Sequence, residues 1–223
     1  MAAGLKYILK LLYPPGSKCL CCGELRLTKQ EDCMCDECIA ELNSKMSEHS
    51  VNGLYLSGIY APFYYETPAR QLIRSLKYSG IKAAAVPLGR AMAQRILSEG
   101  CFGGIVPIPL HKSRQRMRGF NQAVVLAEQI AEHMDIPVFH ALQRNKKTNQ
   151  QARLNKDQRH SNVENAFACI ADVAGKRLLL IDDVCTSGST AESCAEILLS
   201  AGAAEVCLCV AALAQLTGNR SAD

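Results

Sequence analysis

The stretch Leu178-Leu179-Leu180-Ile181-Asp182-Asp183-Val184-Cys185-Thr186-Ser187-Gly188-Ser189-Thr190 joins an apolar run, two adjacent acids and a turn of small hydroxylated residues ahead of a helix. Unpaired backbone N–H groups at a helix N-terminus, together with the helix dipole, favour a phosphate. Thr186, Ser187, Gly188, Ser189 and Thr190 offer such donors and add hydroxyls. Asp182 and Asp183, just before that cradle, can accept hydrogen bonds from two vicinal hydroxyls of a ribose. The chemistry these residues suit is recognition of a sugar phosphate; a helix cap alone would need fewer of them.

A second group of residues suits a metal. Six of the twelve cysteines lie between positions 19 and 38, and Cys19/Cys22 and Cys35/Cys38 form two C-x-x-C pairs twelve residues apart. Two thiolate knuckles are what a tetrahedral zinc ion requires, and four sulfur ligands leave no open position, so the site would be structural. Cys21 and Cys33 offer alternative ligands; the outer set gives the two knuckles. Disulfides or free thiols are the competing assignment. Cys101, Cys169, Cys185, Cys194, Cys207 and Cys209 read as small core residues, although Cys185 lies near a helix N-terminus that would favour its thiolate.

These groups need a scaffold. With 223 residues, 48% of them apolar, and a net charge of +4, the chain has room for one main domain and a small satellite. No run of 18 apolar residues occurs, so no membrane-spanning helix is expected. Leu5, Ile8, Leu9 and Leu12 fall at helical spacing before Pro14-Pro15, and Lys6 and Lys10 argue against a signal peptide; a cytoplasmic location is expected. Alternation predicts strand over 54 to 65, and Thr67-Pro68 reads as an N-cap with proline at the first helical position. The following helix turns Leu72, Ile73 and Leu76 inward and sets Arg70, Arg74 and Lys77 on an outer basic stripe. Helices are predicted over 83 to 98, 121 to 133 and 189 to 201, and strands over 104 to 109, 137 to 139, 177 to 181 and 205 to 211. That alternation implies a parallel sheet.

Between residues 104 and 160 there are ten lysines or arginines and four acids, an excess larger than the whole chain carries. A polyanion is the expected partner, either a pyrophosphate or a nucleic-acid backbone.

The acid-and-hydroxyl stretch resembles the phosphoribosyl pyrophosphate (PRPP) loop of type I phosphoribosyltransferases. Four further segments, in order, resemble the ComF family of competence proteins. They are the paired cysteines; Leu72-Ile73-Arg74-Ser75-Leu76-Lys77-Tyr78-Ser79-Gly80; Val106-Pro107-Ile108-Pro109-Leu110-His111 running through Arg118-Gly119-Phe120-Asn121-Gln122; and Thr148-Asn149-Gln150-Gln151 with Asn162-Val163 and Ala166-Phe167. The chain departs from the usual pattern at Cys185 and Ser187.

The resemblance implies an α/β fold, a type I phosphoribosyltransferase-like parallel sheet with helices on both faces, preceded by a small four-cysteine zinc module. The expected division is residues 1–50 and 51–223. Asp182 and Asp183 would contact ribose hydroxyls, Thr186, Ser187, Gly188, Ser189 and Thr190 the 5-phosphate, and Pro109, Leu110, His111 and Lys112 would form the loop around pyrophosphate. A mobile flap would span about 144 to 159. Arg74, Lys77, Arg114, Arg116, Arg118 and Arg159 are candidate contacts to an anion or to DNA, Cys19, Cys22, Cys35 and Cys38 the zinc ligands, and Mg²⁺ would accompany PRPP. The resemblance further implies a role in natural transformation, handling incoming single-stranded DNA with a competence helicase at the inner face of the membrane. An active transferase moving phosphoribosyl to a nucleobase or amine acceptor is the alternative, and nothing in residues 1 to 66 reads as a base pocket. The cysteine module has three possible uses: binding nucleic acid, binding a protein, or stabilising the amino terminus.

Overall fold

The computed structural model describes residues 18–24, 33–46, 49–144 and 166–214. In chain order these form helix α1 (Asp36–Ser44), strands β1 (His49–Val51), β2 (Gly58–Ala61) and β3 (Phe63–Tyr64), helices α2 (Ala69–Tyr78) and α3 (Ala85–Ile96), strand β4 (Gly104–Pro107), helices α4 (Lys112–Arg118) and α5 (Gln122–Met134), strands β5 (Leu142–Arg144), β6 (Phe167–Cys169) and β7 (Arg177–Cys185), helix α6 (Ser189–Ser200) and strand β8 (Glu205–Leu213). The amphipathic segment from Leu5 to Leu12, Arg159, the Thr148-Asn149-Gln150-Gln151 motif and most of the expected flap lie outside the described residues.

The main sheet runs β1-β2-β8-β7-β4, with β3 also pairing β8. Within this sheet, among the described residues, only β1 is antiparallel to its neighbour, and β2, β3, β4, β7 and β8 pair in parallel; β5 and β6 form a separate antiparallel pair. Leucine and isoleucine on both faces of β7 demand cover on both sides, as parallel sheets do. One face packs Leu179, Ile181, Cys207 and Cys209 against Leu72, Ile73 and Leu76 of α2, Leu88 and Met92 of α3, and Leu126 and Ile130 of α5. The other packs Leu178, Leu180, Val206 and Leu208 against Ala191, Cys194, Ala195 and Leu198 of α6. Each fully buried leucine or isoleucine on these helices contributes about 1.5–3 kcal/mol.

Several expectations are corrected. Strand β7 continues to Cys185 because β8 runs beside it to Leu213 and keeps the ladder paired, so both acids lie within the strand. At 137 to 139 there is a single parallel bridge, Ile105 with Val138, where a strand was expected; Pro137 has no N–H to extend a ladder. Helix α2 begins at Ala69, with Pro68 in a cis peptide as its cap residue and no side-chain capping bond from Thr67. Cys101 is exposed, not core.

The cysteine segment shares the main core. Cys19, Cys33, Met34, Cys35, Cys38 and Leu42 belong to the same apolar cluster as Leu72, Leu76 and Ala91. Lys45 Nζ donates to Thr67 O at 2.6 Å and Cys33 Sγ to Ala83 O at 3.5 Å, fixing the segment to both ends of the α2 region.

Candidate phosphate and metal sites

At the carboxyl ends of β4 and β7 lies a cavity of about 360 Å³, lined by Tyr65, Lys77, Ile108, Pro109, Leu110, Arg114, Arg118, Asn121, Gln122, Arg144, Asp182, Asp183, Val184, Thr186 and Thr190. A recess of about 90 Å³ adjoins it, lined by Asp182 and residues 184 to 191. Ligands in open α/β folds bind at this end of the strands.

The turn from Thr186 to Thr190, the candidate phosphate site, is built by backbone geometry. Gly188 has φ 74° as the residue before α6, a left-handed conformation that a side chain would oppose. Ser187 Oγ and Ser189 Oγ are 3.1 Å apart. Glu192, in the first turn of α6, would repel a phosphate if it faced the recess. It is instead bound by two backbone donors, Leu54 N at 3.0 Å and Tyr55 N at 2.8 Å.

Strand alternation turns the two acids to different sides. Asp182 faces the recess. Burial, and then the charge of Asp183, push its carboxyl up to about 7, against the opposing effects of the Asp183 N–H, Lys77 and Arg118. Asp183 is buried and its Oδ1 is 2.7 Å from Lys77 Nζ. The expected outer stripe on α2 therefore splits: Arg70 and Arg74 are exposed, whereas Lys77 lies at the last turn and points into the cavity.

The basic wall comes from the segment after β4. His111 caps α4 by accepting from Ser113 N at 3.3 Å, and Gly119, at φ 81°, ends it. This helix buries no residue, so apolar periodicity could not announce it. Arg114 and Arg118 line the cavity; Arg116, His111 and Lys112 are exposed, and only Pro109 and Leu110 of the expected pyrophosphate loop join the lining. Arg118 donates to Gln122 Oε1 at 2.7 Å. Its Nε is buried without a hydrogen bond among the described residues, an orphan donor of the kind a ligand oxygen relieves. Asn121 holds the wall in place: it caps α5 by accepting from Ala123 N and donates to Ile108 O at 2.9 Å. Burial and the neighbouring Arg114 charge lower the pKa of Arg144, whose guanidinium stacks 5.1 Å from the Phe167 ring centre.

Sequence reasoning missed Tyr65, Asn121 and Gln122 as lining residues; the Gly-Phe-Asn-Gln run directly after Arg118 was the available signal for the last two. Cys185 is buried, and burial, Asp182 and Glu192 raise its pKa, so a thiolate is not favoured there.

The sulfurs of Cys19, Cys22, Cys35 and Cys38 all lie within 4.8 Å of one another, and Cys22 Sγ is 3.9 Å from Cys35 Sγ. A tetrahedral ion with bonds of about 2.3 Å sets sulfurs roughly 3.8 Å apart, so the cluster could hold a metal ion. Cys21 N and Cys35 N both donate to Cys19 Sγ at 3.4 Å. Burial opposes ionisation of Cys19, but backbone hydrogen bonds from Cys22, Cys35 and Cys21 outweigh it and bring the thiol down to about 6. Cys21 and Cys33 are turned away, toward Pro68 O and Ala83 O.

Residues 121–221 match the phosphoribosyl transferase domain, and with the parallel sheet and its cavity this places the protein among those of phosphoribosyltransferase fold. The DNA utilization protein YhgH of Escherichia coli K12 is 34% identical over 155 residues, 65% of this chain and 68% of that protein. Competence protein F of Haemophilus influenzae is 36% identical over 106 residues, 46% of each chain, and competence protein ComFC of Bacillus subtilis 38% over 108 residues, 45% of this chain and 40% of that one. The chain belongs to the ComF family. No helix among the described residues is long and apolar enough to cross a membrane.

Proposed function

We propose that the cavity binds PRPP, in a protein that handles single-stranded DNA during natural transformation. One observation carries the reading: Thr186 and Thr190, two acids and a wall of Lys77, Arg114, Arg118 and Arg144 line one cavity, and the rest of the turn lines a recess that shares Asp182, Thr186 and Thr190 with it. In this reading the 5-phosphate sits on Thr186, Ser187, Gly188, Ser189 and Thr190, the ribose hydroxyls donate to Asp182 and Asp183, and the pyrophosphate faces the arginines. Mg²⁺ arriving with the pyrophosphate would offset its charge, beside the same carboxylates. Zinc is the ion whose size and preference for thiolates suit the four cysteines, and its role is structural. The DNA role is supported by the names of the relatives, a DNA utilization protein and two competence proteins, and by the exposed basic residues; a helicase partner and association with the inner face of the membrane follow from the family resemblance alone.

Turnover is a second reading, supported by Tyr65, which could face an acceptor on the cavity wall. An acceptor nitrogen would bond to the anomeric carbon while the C–O bond breaks and pyrophosphate leaves with the electron pair. Cations placed around the departing oxygens stabilise that charge.

Calorimetric titration of Mg-PRPP tests the reading. Wild-type protein is expected to bind, and an Asp182→Asn, Asp183→Asn double variant to lose binding. No heat with the wild type would overturn it. Pyrophosphate release on adding nucleobases or amines would establish turnover.

A further inference from the structure

We infer that single-stranded nucleic acid binds outside the cavity, on a platform at its rim where bases stack on Tyr78. This deepens the DNA-handling reading and rests on it. The cavity itself is a poor place for a strand: a phosphodiester there would meet two carboxylates, of which only Asp183 has a lysine. A deoxyribose also lacks one of the two hydroxyls they suit.

The rim has the opposite character. Tyr78, at the end of α2, is 70% exposed, and the Arg118 guanidinium lies 5.6 Å from its ring centre. Beside it, Lys82 Nζ lies 5.3 Å from the Phe120 ring centre. Met117 is 72% exposed on the same short helix that carries the exposed Arg114 and Arg116. Residues 67 to 84 and 108 to 127, which build this rim, contain no acid. Among these two described segments a phosphate backbone meets lysines and arginines and no carboxylate, while an exposed ring with a cation behind it offers a base a stacking surface. Proteins that bind single strands without sequence preference combine these two features. Arg118 is shared between rim and cavity, placing the strand beside the phosphoribosyl site.

The test is fluorescence anisotropy with a labelled thymidine oligonucleotide and an abasic oligonucleotide of equal length, against wild type, Tyr78→Ala and Tyr78→Phe. The exposed position makes both variants compatible with folding. Wild type is expected to prefer the oligonucleotide that carries bases. Tyr78→Ala is expected to weaken that binding about tenfold or more while barely changing abasic binding, and Tyr78→Phe to restore it. Equal affinity of wild type and Tyr78→Ala for the thymidine strand overturns the platform alone. Failure of the wild type to bind either strand overturns the DNA-handling reading with it, and leaves the PRPP titration as the separate judge of the cavity.

Discussion

Lys77 Nζ and Asp183 Oδ1 are 2.7 Å apart, with the two side chains only 16% and 10% exposed. The contact joins the last turn of α2 to the carboxyl end of β7, an ion pair placed where water gives little help. Removing one partner of such a pair strands a charge, which costs about 3 kcal/mol. Lys77→Met should therefore destabilise the fold by about that amount and weaken Mg-PRPP binding. Adding Asp183→Asn should recover much of the stability but none of the binding; additive losses in chemical denaturation would show that the pair is not coupled.

Asp182 sets the pH dependence. Its folded carboxyl titrates at about 7, above the ordinary carboxylate range. Between that ordinary range and about 7, the folded state keeps a proton that the unfolded chain has released, so this group lowers stability as pH rises through the window. In the folded state the ionised, hydroxyl-accepting form appears as pH passes through about 7. PRPP affinity should thus rise from pH 6 to pH 8 in the wild type, beyond what the ligand's own titration gives, and Asp182→Asn should remove the excess. A wild-type profile matching that of the variant would dissociate Asp182 from the sugar.

Gly188 tests the phosphate turn. With φ at 74°, Gly188→Ala should cost about 1–2 kcal/mol of stability and weaken ribose 5-phosphate binding by roughly tenfold as the N–H groups at the start of α6 lose their aim. Retained affinity in the alanine variant would remove the turn from the site.

The cysteine cluster should hold one zinc ion per chain by elemental analysis. Cys22→Ser should lose the metal, whereas Cys21→Ser should keep it, because Cys21 faces Pro68 O rather than the cluster. Stripping the metal should lower thermal stability, since the cluster shares its core with Leu72 and Leu76 of α2. Equal metal loss in both serine variants would reassign the ligands.

Sequence chemistry singled out the turn after β7, the acid pair and the cysteine set because each is local: Asp182, Asp183 and Gly188 fall on one strand and its turn, and Cys19 and Cys22 on one knuckle. Helix α2 was legible for the same reason, since it repeats its apolar positions Leu72, Ile73 and Leu76 every turn. What could not be read was non-local or lacked an apolar pattern. Lys77 read as one cation of an outer stripe and a candidate anion contact; its pairing with Asp183 across the fold could not be read. Helix α4 has no buried side chain to mark it. Tyr65 reaches the cavity only because β3 pairs with β8, in a register that sets Tyr64 opposite Leu213.

The central claim, that the cavity reads a sugar phosphate through Asp182 and Asp183, is tested most directly by comparing ribose 5-phosphate with 2-deoxyribose 5-phosphate. If both hydroxyls are held, the ribose form should bind tenfold or more tightly to the wild type, in line with losing one hydrogen bond to a charged acceptor. The preference should vanish in the Asp182→Asn, Asp183→Asn variant. Equal affinity of the two sugars for the wild type would contradict the account and reduce the site to a phosphate cradle.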